Sequence, residues 1–587
     1  MSVQIWLLPC LLLLTATVLA FPLSAYLASI MDSTFTPPFF LKTPEKKLDC
    51  GPQTWKQYAL SILCFNTLLF ITGYLILALQ PWLPLNPDHK TLLSPTTLFS
   101  TVAAFMTNTD LQHYAGEAHL SIGSQIFFGF TCMFLSAATG LSAMTAMTRA
   151  LRGDASCGNF FVDVWRVVVY LFVPLSLVIA VIFIQQGSPM TFTDHLTVSS
   201  LETGQPLRIA IGPVAAFESI KLLGTNGGGF FNMNAAHPFE NPTALSNLLN
   251  TLSMMLIPFA VVLMYGRMLK RVRHSFVLFA IMLTLMSACI AWTVYFDTLQ
   301  PNPAATAHDA RQYGQFTLPA QSALPITQEA GNLEGKELRF GASAGTTYAA
   351  ITAGTGSGAI NAEMDSLNPL AALGPLTALW LNCIFGGDGI GMINMLVFII
   401  LGIFIAGMMV GRTPEYLGKK IGIPEVKLAI LALLVHPLLI LISLGLFSVM
   451  PWGRDAISNP GAHGLTQMLY QFSSASANNG SAFDGLNVVY GFYNNALPAA
   501  AAIPWDIATG LVMIFSRYLP LIAPLALAAL LGAKKSVPNG PGTLRDDSLT
   551  FALLMIGIIV IIGALLYLPV ATLGPVAEHI GPQPFGG

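Results

Sequence analysis

The chain has 587 residues, 54% of them hydrophobic and only 9% charged, with a mean hydropathy of +0.66 and a formal net charge of −2. Soluble globular domains carry roughly 25% charged residues, so this composition excludes a soluble class, and the near-neutral charge gives no argument for nucleic-acid binding. Seven scattered cysteines without a C-x-x-C pair argue against a disulfide framework or zinc site, and there is neither a G-x-x-x-x-G-K-[ST] loop nor a polar stretch long enough for a nucleotide-binding domain.

A bilayer span needs about 20 mostly apolar residues. In chain order the predicted spans are 5–31, 58–83, 120–148, 165–185, 244–267, 275–296, 369–411 (interrupted), 427–449, 507–533 and 549–570. The first could be a cleaved signal peptide. No Lys or Arg precedes it, however, and it is long for an h-region, which favours a membrane anchor. Loops on one side hold Lys42, Lys46, Lys47, Lys56, Arg149, Arg152, Arg166, Arg267, Lys270, Arg271, Arg273, Arg412, Lys419, Lys420, Lys427, Lys534, Lys535 and Arg545. The other side holds Lys90, Arg208, Lys221, Arg311, Lys336, Arg339 and Arg454, and Arg517 lies within a span. The bias puts the first set in the cytoplasm and both termini outside.

Four short polar stretches sit between apolar segments on the outer side: Thr107-Asn108-Thr109, Thr225-Asn226-Gly227, Gly356-Ser357-Gly358 and Asn478-Asn479-Gly480. They recur about every 120–130 residues. Each follows a segment too short to cross the membrane, at 94–106, 213–223, 342–353 and 462–474, which reads as a re-entrant half-helix. Non-helical backbone at membrane depth is tolerated where it is buried in protein or lines a cavity. A half-helix entering from outside aims its negative dipole end at the bilayer centre, where a cation is favoured. Four such loops are how a chain can ring a dehydrated cation with backbone oxygens. Gly227, Gly358 and Gly480 permit the unusual backbone angles; Thr109 stands in their place in the first unit. Neutral oxygens suit a monovalent cation better than a divalent one, and Asp110 is the only acid adjoining a loop. The donor set favours K⁺, with Na⁺ as the chemical rival. Each loop alone reads more readily as an ordinary turn; the fourfold recurrence is the argument for a filter.

The expected fold is therefore an all-α integral membrane protein of ten transmembrane helices. Four span–pore helix–filter–span units at 58–148, 160–268, 275–412 and 427–533 are flanked by an extra helix at each end, 1–31 and 549–587. The third closing span is broken by Phe385-Gly386-Gly387-Asp388-Gly389-Ile390-Gly391, and each Gly weakens a helix by about 1 kcal/mol relative to Ala. A discontinuous helix near the midplane often marks a gate or ion site, although a packing kink is the plainer reading. Asp388 at that depth needs a cation or a partner. Arg517 is a candidate partner and, as a fixed positive charge, a candidate barrier to free cation flow; the plainer reading has it snorkelling to an interface. Glu218 and Lys221 stand at i, i+3 and are expected to pair. His237 and Glu240 read as an ion entry or as a structural turn. The turn from Gly411 to Lys420 reads as a positive-inside anchor or a docking surface, and 297–341 as an extracytoplasmic loop.

Two runs are specific: Gly224-Thr225-Asn226-Gly227-Gly228-Gly229-Phe230-Phe231-Asn232, and His237-Pro238-Phe239-Glu240-Asn241-Pro242-Thr243. Together with Gly411 to Lys420 and Asn478 to Phe483, they resemble the signature of the potassium-binding component (KdpA) of Kdp potassium-transporting P-type ATPases, and the resemblance spans essentially the whole chain. It implies a fold similar to K⁺ channels and Trk/Ktr-type transporters, K⁺ as the transported ion, and a bacterial inner-membrane location. It also implies a complex with the P-type ATPase component (KdpB), a further component (KdpC) and often a small single-span peptide. K⁺ would then be selected here and passed through an intramembrane tunnel to the pumping component, with no nucleotide bound and no catalytic residue in this chain. A stand-alone Trk/Ktr-type channel or transporter is the alternative. Three positions depart from the family pattern: Asn382 stands where a Glu is usual, Asp388 where Val is frequent, and Ser357 in the third filter stretch where Cys or Thr is more familiar.

Overall fold

The structure is a computed structural model that describes residues 2–32, 34–301, 311–313, 316–318, 331–411, 413–490, 499–536 and 545–580. Among these residues, ten helices are long and apolar enough to cross a membrane: α1 (Ser2–Met31), α2 (Trp55–Ala78), α4 (Ile122–Arg152), α5 (Phe160–Gln186), α7 (Ala244–Met268), α8 (Val272–Thr298), α11 (Ile390–Val410), α12 (Ile423–Val449), α14 (Ala499–Gly532) and α15 (Leu549–Ile580). The chain is a multi-pass helical membrane protein. Between these helices lie the shorter α3 (Pro95–Met106), α6 (Val214–Leu223), α9 (Ala342–Thr355), α10 (Pro369–Leu381) and α13 (Ala462–Ala477). All ten predicted spans and all four predicted short segments coincide with helices. The interrupted seventh span is the pair α10 and α11.

Local chemistry sets the ends. Thr54 and Gln57 form a capping box at α2, and Thr243 and Ser246 form another at α7, each satisfying N–H groups that helix geometry leaves free. Ser94 caps α3 just before Pro95. Gly153 and Gly187 end α4 and α5 in left-handed conformation.

The inner helices are α4, α7, α11 and α14, buried around most of their circumference, whereas α2, α12 and α15 keep wide apolar faces exposed. Such all-round hydrophobicity fits a lipid environment. Small residues allow close helix approach where the core is tightest: a Cβ on Gly140 of α4 would sit 2.6 Å from the Asp388 carbonyl. Buried ion pairs bind the first third of the chain. Arg149 forks onto Asp163 at 2.7 and 3.0 Å, and Arg166 reaches Glu45 at 2.6 Å.

The Gly411–Lys420 turn is a structural clamp. Lys419 donates to the carbonyls of Leu151 (2.9 Å) and Gly532 (3.0 Å), at the ends of α4 and α14, where a cation also meets the negative helix terminus. Tyr416 bonds Tyr265 at 2.6 Å and His274 at 2.9 Å. Arg412 lies outside the described residues. Of the 297–341 stretch, a short hairpin pairs Arg311–Tyr313 with Phe316–Leu318; 302–310, 314–315 and 319–330 lie outside the described residues, as does the tail after 580. The far end of the stretch is tied down by a buried Lys336–Asp297 pair at 3.1 Å. A second hairpin, His195–Ser199 with Pro206–Ala210, was not foreseen.

Candidate cation-binding site

Each of the four half-helices, α3, α6, α9 and α13, ends in the same way. One loop residue turns its N–H back to the carbonyl five residues earlier: Thr109 to Ala104 (2.9 Å), Asn226 to Lys221 (2.8 Å), Ser357 to Thr352 (3.0 Å) and Asn479 to Ser474 (3.0 Å). The residue just before is left-handed in every case, with φ of 61° at Asn108, 48° at Thr225, 67° at Gly356 and 52° at Asn478. These bonds define equivalence among the loops more firmly than the letters do. They align Asn108-Thr109-Asp110 with Thr225-Asn226-Gly227, Gly356-Ser357-Gly358 and Asn478-Asn479-Gly480. The first stretch is thus offset by one residue from the expected Thr107-Asn108-Thr109. Thr107 is the helix cap, bonding Ala103 O and Thr109 Oγ1, and Asp110, not Thr109, stands where the other loops have Gly.

The four loops meet and are fully buried. Side chains join them in a closed circuit. Asn226 donates to Asn108 Oδ1 at 2.8 Å, and Ser357 Oγ donates to the Asn226 carbonyl at 3.4 Å. Asn479 donates to the Thr352 carbonyl at 2.9 Å, and Asn478 donates to Thr109 Oγ1 at 2.9 Å. Behind the first loop, Ser136 donates to Asn108 Oδ1 at 2.7 Å. Glycine is obligatory in the middle. A Cβ on Gly227 would lie 2.5 Å from Thr109 O, 2.6 Å from Asn479 O and 2.7 Å from Gly480 Cα; one on Gly358 would strike Asn479 O and one on Gly480 would strike Thr109 O. Backbone, hydroxyl and amide oxygens are hard, neutral donors, and this constellation can hold a dehydrated monovalent cation.

The broken helix lies directly against this ring. Asn382, Phe385, Gly386 and Gly389 are all left-handed, so the chain is unwound from Asn382 to Gly389 and helical again from Ile390. Gly386 N–H donates to Gly354 O (2.9 Å), and the Asp388 N–H donates to Thr225 Oγ1 (3.1 Å). A Cβ on Gly356 would strike the Gly387 nitrogen, and one on Gly387 would lie 3.5 Å from Thr225 Oγ1. Phe385 stacks on Phe259 with ring centroids 3.8 Å apart.

Arg517 is buried and does not snorkel. Its guanidinium donates to the Ser136 carbonyl at 3.4 Å, and a Cβ on Gly140 would lie 3.2 Å from Nη2. No ion pair links Arg517 to Asp388 among the described residues, and both Asp388 oxygens lack a hydrogen-bond partner. The expected partnership is therefore one of neighbourhood, not of contact.

Glu218 and Lys221 do pair, but Glu240 completes the set. Lys221 bonds Glu218, Glu240 Oε2 at 2.7 Å and Asn234 Oδ1 at 2.8 Å, all fully buried. Asn234 in turn donates to the Gly227 carbonyl at 2.7 Å, and Glu240 accepts from Phe231 N–H at 2.8 Å. His237 stacks on Phe231 at 3.7 Å. The His237–Thr243 run is thus a buttress for the second loop.

Sequence reasoning missed three supports. His113, just after the first loop, bridges Asp506 of α14 (2.7 Å) and Gln471 of α13 (2.8 Å). Gln112 pairs twice with Gly229, at 3.0 Å each way. His463, at the start of α13, bridges Asp365 and Glu578 at 2.7 Å each. Burial opposes charging of His463, but the two carboxylates outweigh it and push its pKa up to about 10. Nearby, burial and then the Glu363 charge push the Asp484 carboxyl up to about 7. These partners are far apart in sequence, and no local pattern announces them.

The chain has clear relatives among known proteins. A family model described as "Potassium-transporting ATPase A subunit" matches residues 10–580. A potassium-transporting ATPase potassium-binding subunit of Geobacillus kaustophilus is 42% identical over 528 residues, covering 90% of this chain and 89% of the relative. One of Delftia acidovorans is 41% identical over 580 residues, covering 98% of each. Among solved structures, the potassium transporter TrkH from Vibrio parahaemolyticus superposes with a TM-score of 0.50 at 12% identity, over 81% of this chain and 85% of that one; this likeness concerns the fold alone.

Proposed function

Since the chain belongs to the family of the potassium-transporting ATPase A subunit, we propose that it is the K⁺-selective binding and entry component of an ATP-driven potassium importer. The observation that carries this reading is the closed circuit of four buried loops, with glycine packed against neighbouring backbone at three of the four equivalent positions. K⁺ enters from the extracytoplasmic side and is dehydrated among Asn108, Thr109, Thr225, Asn226, Gly227, Gly356, Ser357, Gly358, Asn478, Asn479 and Gly480, with Thr107 capping the first half-helix. The four units 58–148, 160–268, 275–412 and 427–533 each contribute one loop.

Below the ring, the unwound Gly386, Gly387, Asp388 and Gly389 and the buried Arg517 control onward movement. A fixed guanidinium raises the energy of a cation that would pass straight through. The ion is instead handed sideways to the partner P-type ATPase, KdpB, which hydrolyses ATP; this chain binds no nucleotide. KdpC and a small single-span peptide complete the complex, in the bacterial inner membrane with both termini of this chain extracytoplasmic. The charge bias of the loops and the family membership support these assignments.

The test is K⁺-stimulated ATPase activity and K⁺ uptake in liposomes, for this chain alone and with its partners, scanning K⁺, Rb⁺ and Na⁺. Activity only in the complex, with K⁺ far better than Na⁺, is the expected result. Selective K⁺ transport by the chain alone would favour a stand-alone channel or transporter, and an active complex indifferent to K⁺ would remove the ring from its assigned role.

A further inference from the structure

The buried carboxylates of this protein divide into two groups. Glu45, Asp163, Glu218, Glu240, Asp297, Glu425 and Asp506 each face a basic side chain within 4.0 Å. Among the described residues, Asp110 and Asp388 are the buried acids that do not, and neither has a hydrogen-bond partner on either oxygen. Both lie against the ring of loops. Asp388 neighbours Arg517, as described above. Asp110 is within the ring itself, at the position that Gly227, Gly358 and Gly480 hold in the other loops.

Asp110 also occupies that position at some expense. Its φ of 52° is left-handed, which disfavours any residue with a Cβ. Its side chain fits only because the facing residue of the second loop is glycine: a Cβ on Gly228 would lie 3.0 Å from Asp110 Cβ and 2.9 Å from Asp110 O. An unpaired carboxylate out of water is costly, and the nearest protein cation, Arg517, acts on it only at a distance, without an ion pair. A transported cation among the adjacent oxygens would offset that cost.

We propose that Asp110 gives the ring a single built-in carboxylate, making it a stronger cation trap than four neutral loops and a site where a divalent cation of similar size competes with K⁺. This rests on the reading of the four loops as the ion filter. Neutral oxygens bind a monovalent and a divalent ion of equal radius by ion–dipole attraction alone. A fixed negative charge adds a Coulomb term twice as large for the divalent ion. Carboxylates are what oxygen sites recruit when they hold divalent ions.

The experiment uses the assembled complex and reads the K⁺ concentration for half-maximal ATPase stimulation, with and without Ba²⁺, a divalent ion of nearly the K⁺ radius. Asp110→Asn keeps the shape and removes the charge. The expected result is an increase of about tenfold or more in the K⁺ required, and a comparable loss of Ba²⁺ competition. An Asp110→Asn complex with wild-type K⁺ dependence and wild-type Ba²⁺ inhibition would overturn the proposal. Gly227→Asp is measured beside it: if that variant alters cation selectivity while Asp110→Asn changes nothing, the filter stands and the role of Asp110 falls. If both are silent, the filter reading itself falls. Should the Asn variant not assemble, the wild-type complex decides, because Ba²⁺ that leaves its K⁺ requirement unchanged also overturns the proposal.

Discussion

The side-chain amide of Asn226 donates to Oδ1 of Asn108 at 2.8 Å, and Asn108 returns its own amide to the carbonyls of Gly224 (3.0 Å) and Thr225 (3.1 Å). Two loops separated by more than a hundred residues are thereby locked edge to edge. Asn108→Ala removes both donors and the shared acceptor and leaves buried polar groups unmatched, at roughly 1–3 kcal/mol for each orphaned group. The complex should lose thermal stability and need more K⁺ for half-stimulation. An unchanged melting temperature together with an unchanged K⁺ requirement would show that the lock is dispensable.

Gly227 has no room for a side chain between Thr109 O and Asn479 O. Gly227→Asp should widen the ring and place a carboxylate inside it, so that discrimination of K⁺ against Na⁺ and Rb⁺ falls by about tenfold or more. Cation-dependent ATPase activity of the purified complex reads this directly, and wild-type selectivity in the variant would reject the glycine requirement.

Lys221 is the one basic side chain bonded to two fully buried acids, Glu218 and Glu240. Lys221→Met should destabilise the protein by about 3–5 kcal/mol, the usual consequence of stranding buried charge. Adding Glu218→Gln and Glu240→Gln should recover much of the loss, because the stranded charges go too. If the single and triple variants melt together, packing, not charge, is what Lys221 supplies.

Arg517→Ala removes a buried positive charge next to the unwound segment. K⁺ or Rb⁺ flux through liposome-reconstituted complex should then proceed without ATP, if the guanidinium is the electrostatic barrier. Flux that remains strictly coupled to hydrolysis in the variant would remove Arg517 from that role.

His463, at the start of α13, fastens the C-terminal helix through Glu578 and the segment before α10 through Asp365. Its pKa is raised, from 6.5 to about 10. The folded state therefore holds the proton more tightly than the unfolded chain does. The stabilisation is fully present below about pH 6.5 and fades as pH rises through about 10. The melting-temperature difference between wild type and His463→Gln should accordingly shrink across that range; a constant difference would mean that the contact works without its charge.

The membrane helices and the four short helices were legible because hydropathy and length are carried by the segments themselves; most predicted boundaries agree to within a few residues, whereas α14 starts earlier than the expected 507 and α15 runs on past the expected 570 to Ile580. The register of the first loop was not. Thr107-Asn108-Thr109 matches Thr225-Asn226-Gly227 letter by letter in its first two places, whereas the hydrogen bonds to Ala104 and Lys221 match it one residue later. Where the half-helix lets go of the chain is decided by the surrounding ring, not by the local string. Similarly, the Glu218–Lys221 spacing revealed a pair but not Glu240, which folds back from beyond the loop. Asp388 and Arg517 stood out as charges in apolar surroundings; that they neighbour each other without an ion pair depends on the helix break, whose geometry no spacing rule supplies.

The four loops belong to one polypeptide, and one of them carries Asp110 where the others carry glycine. A ring assembled from four identical chains has a single codon for that position, so its charge can change only by four at once, with every opposing carboxylate repelling the rest. A ring encoded as one gene escapes that constraint. Each quadrant mutates alone, and the field at the centre of the ring can be adjusted by single charges and off-axis placements that a symmetric assembly cannot reach.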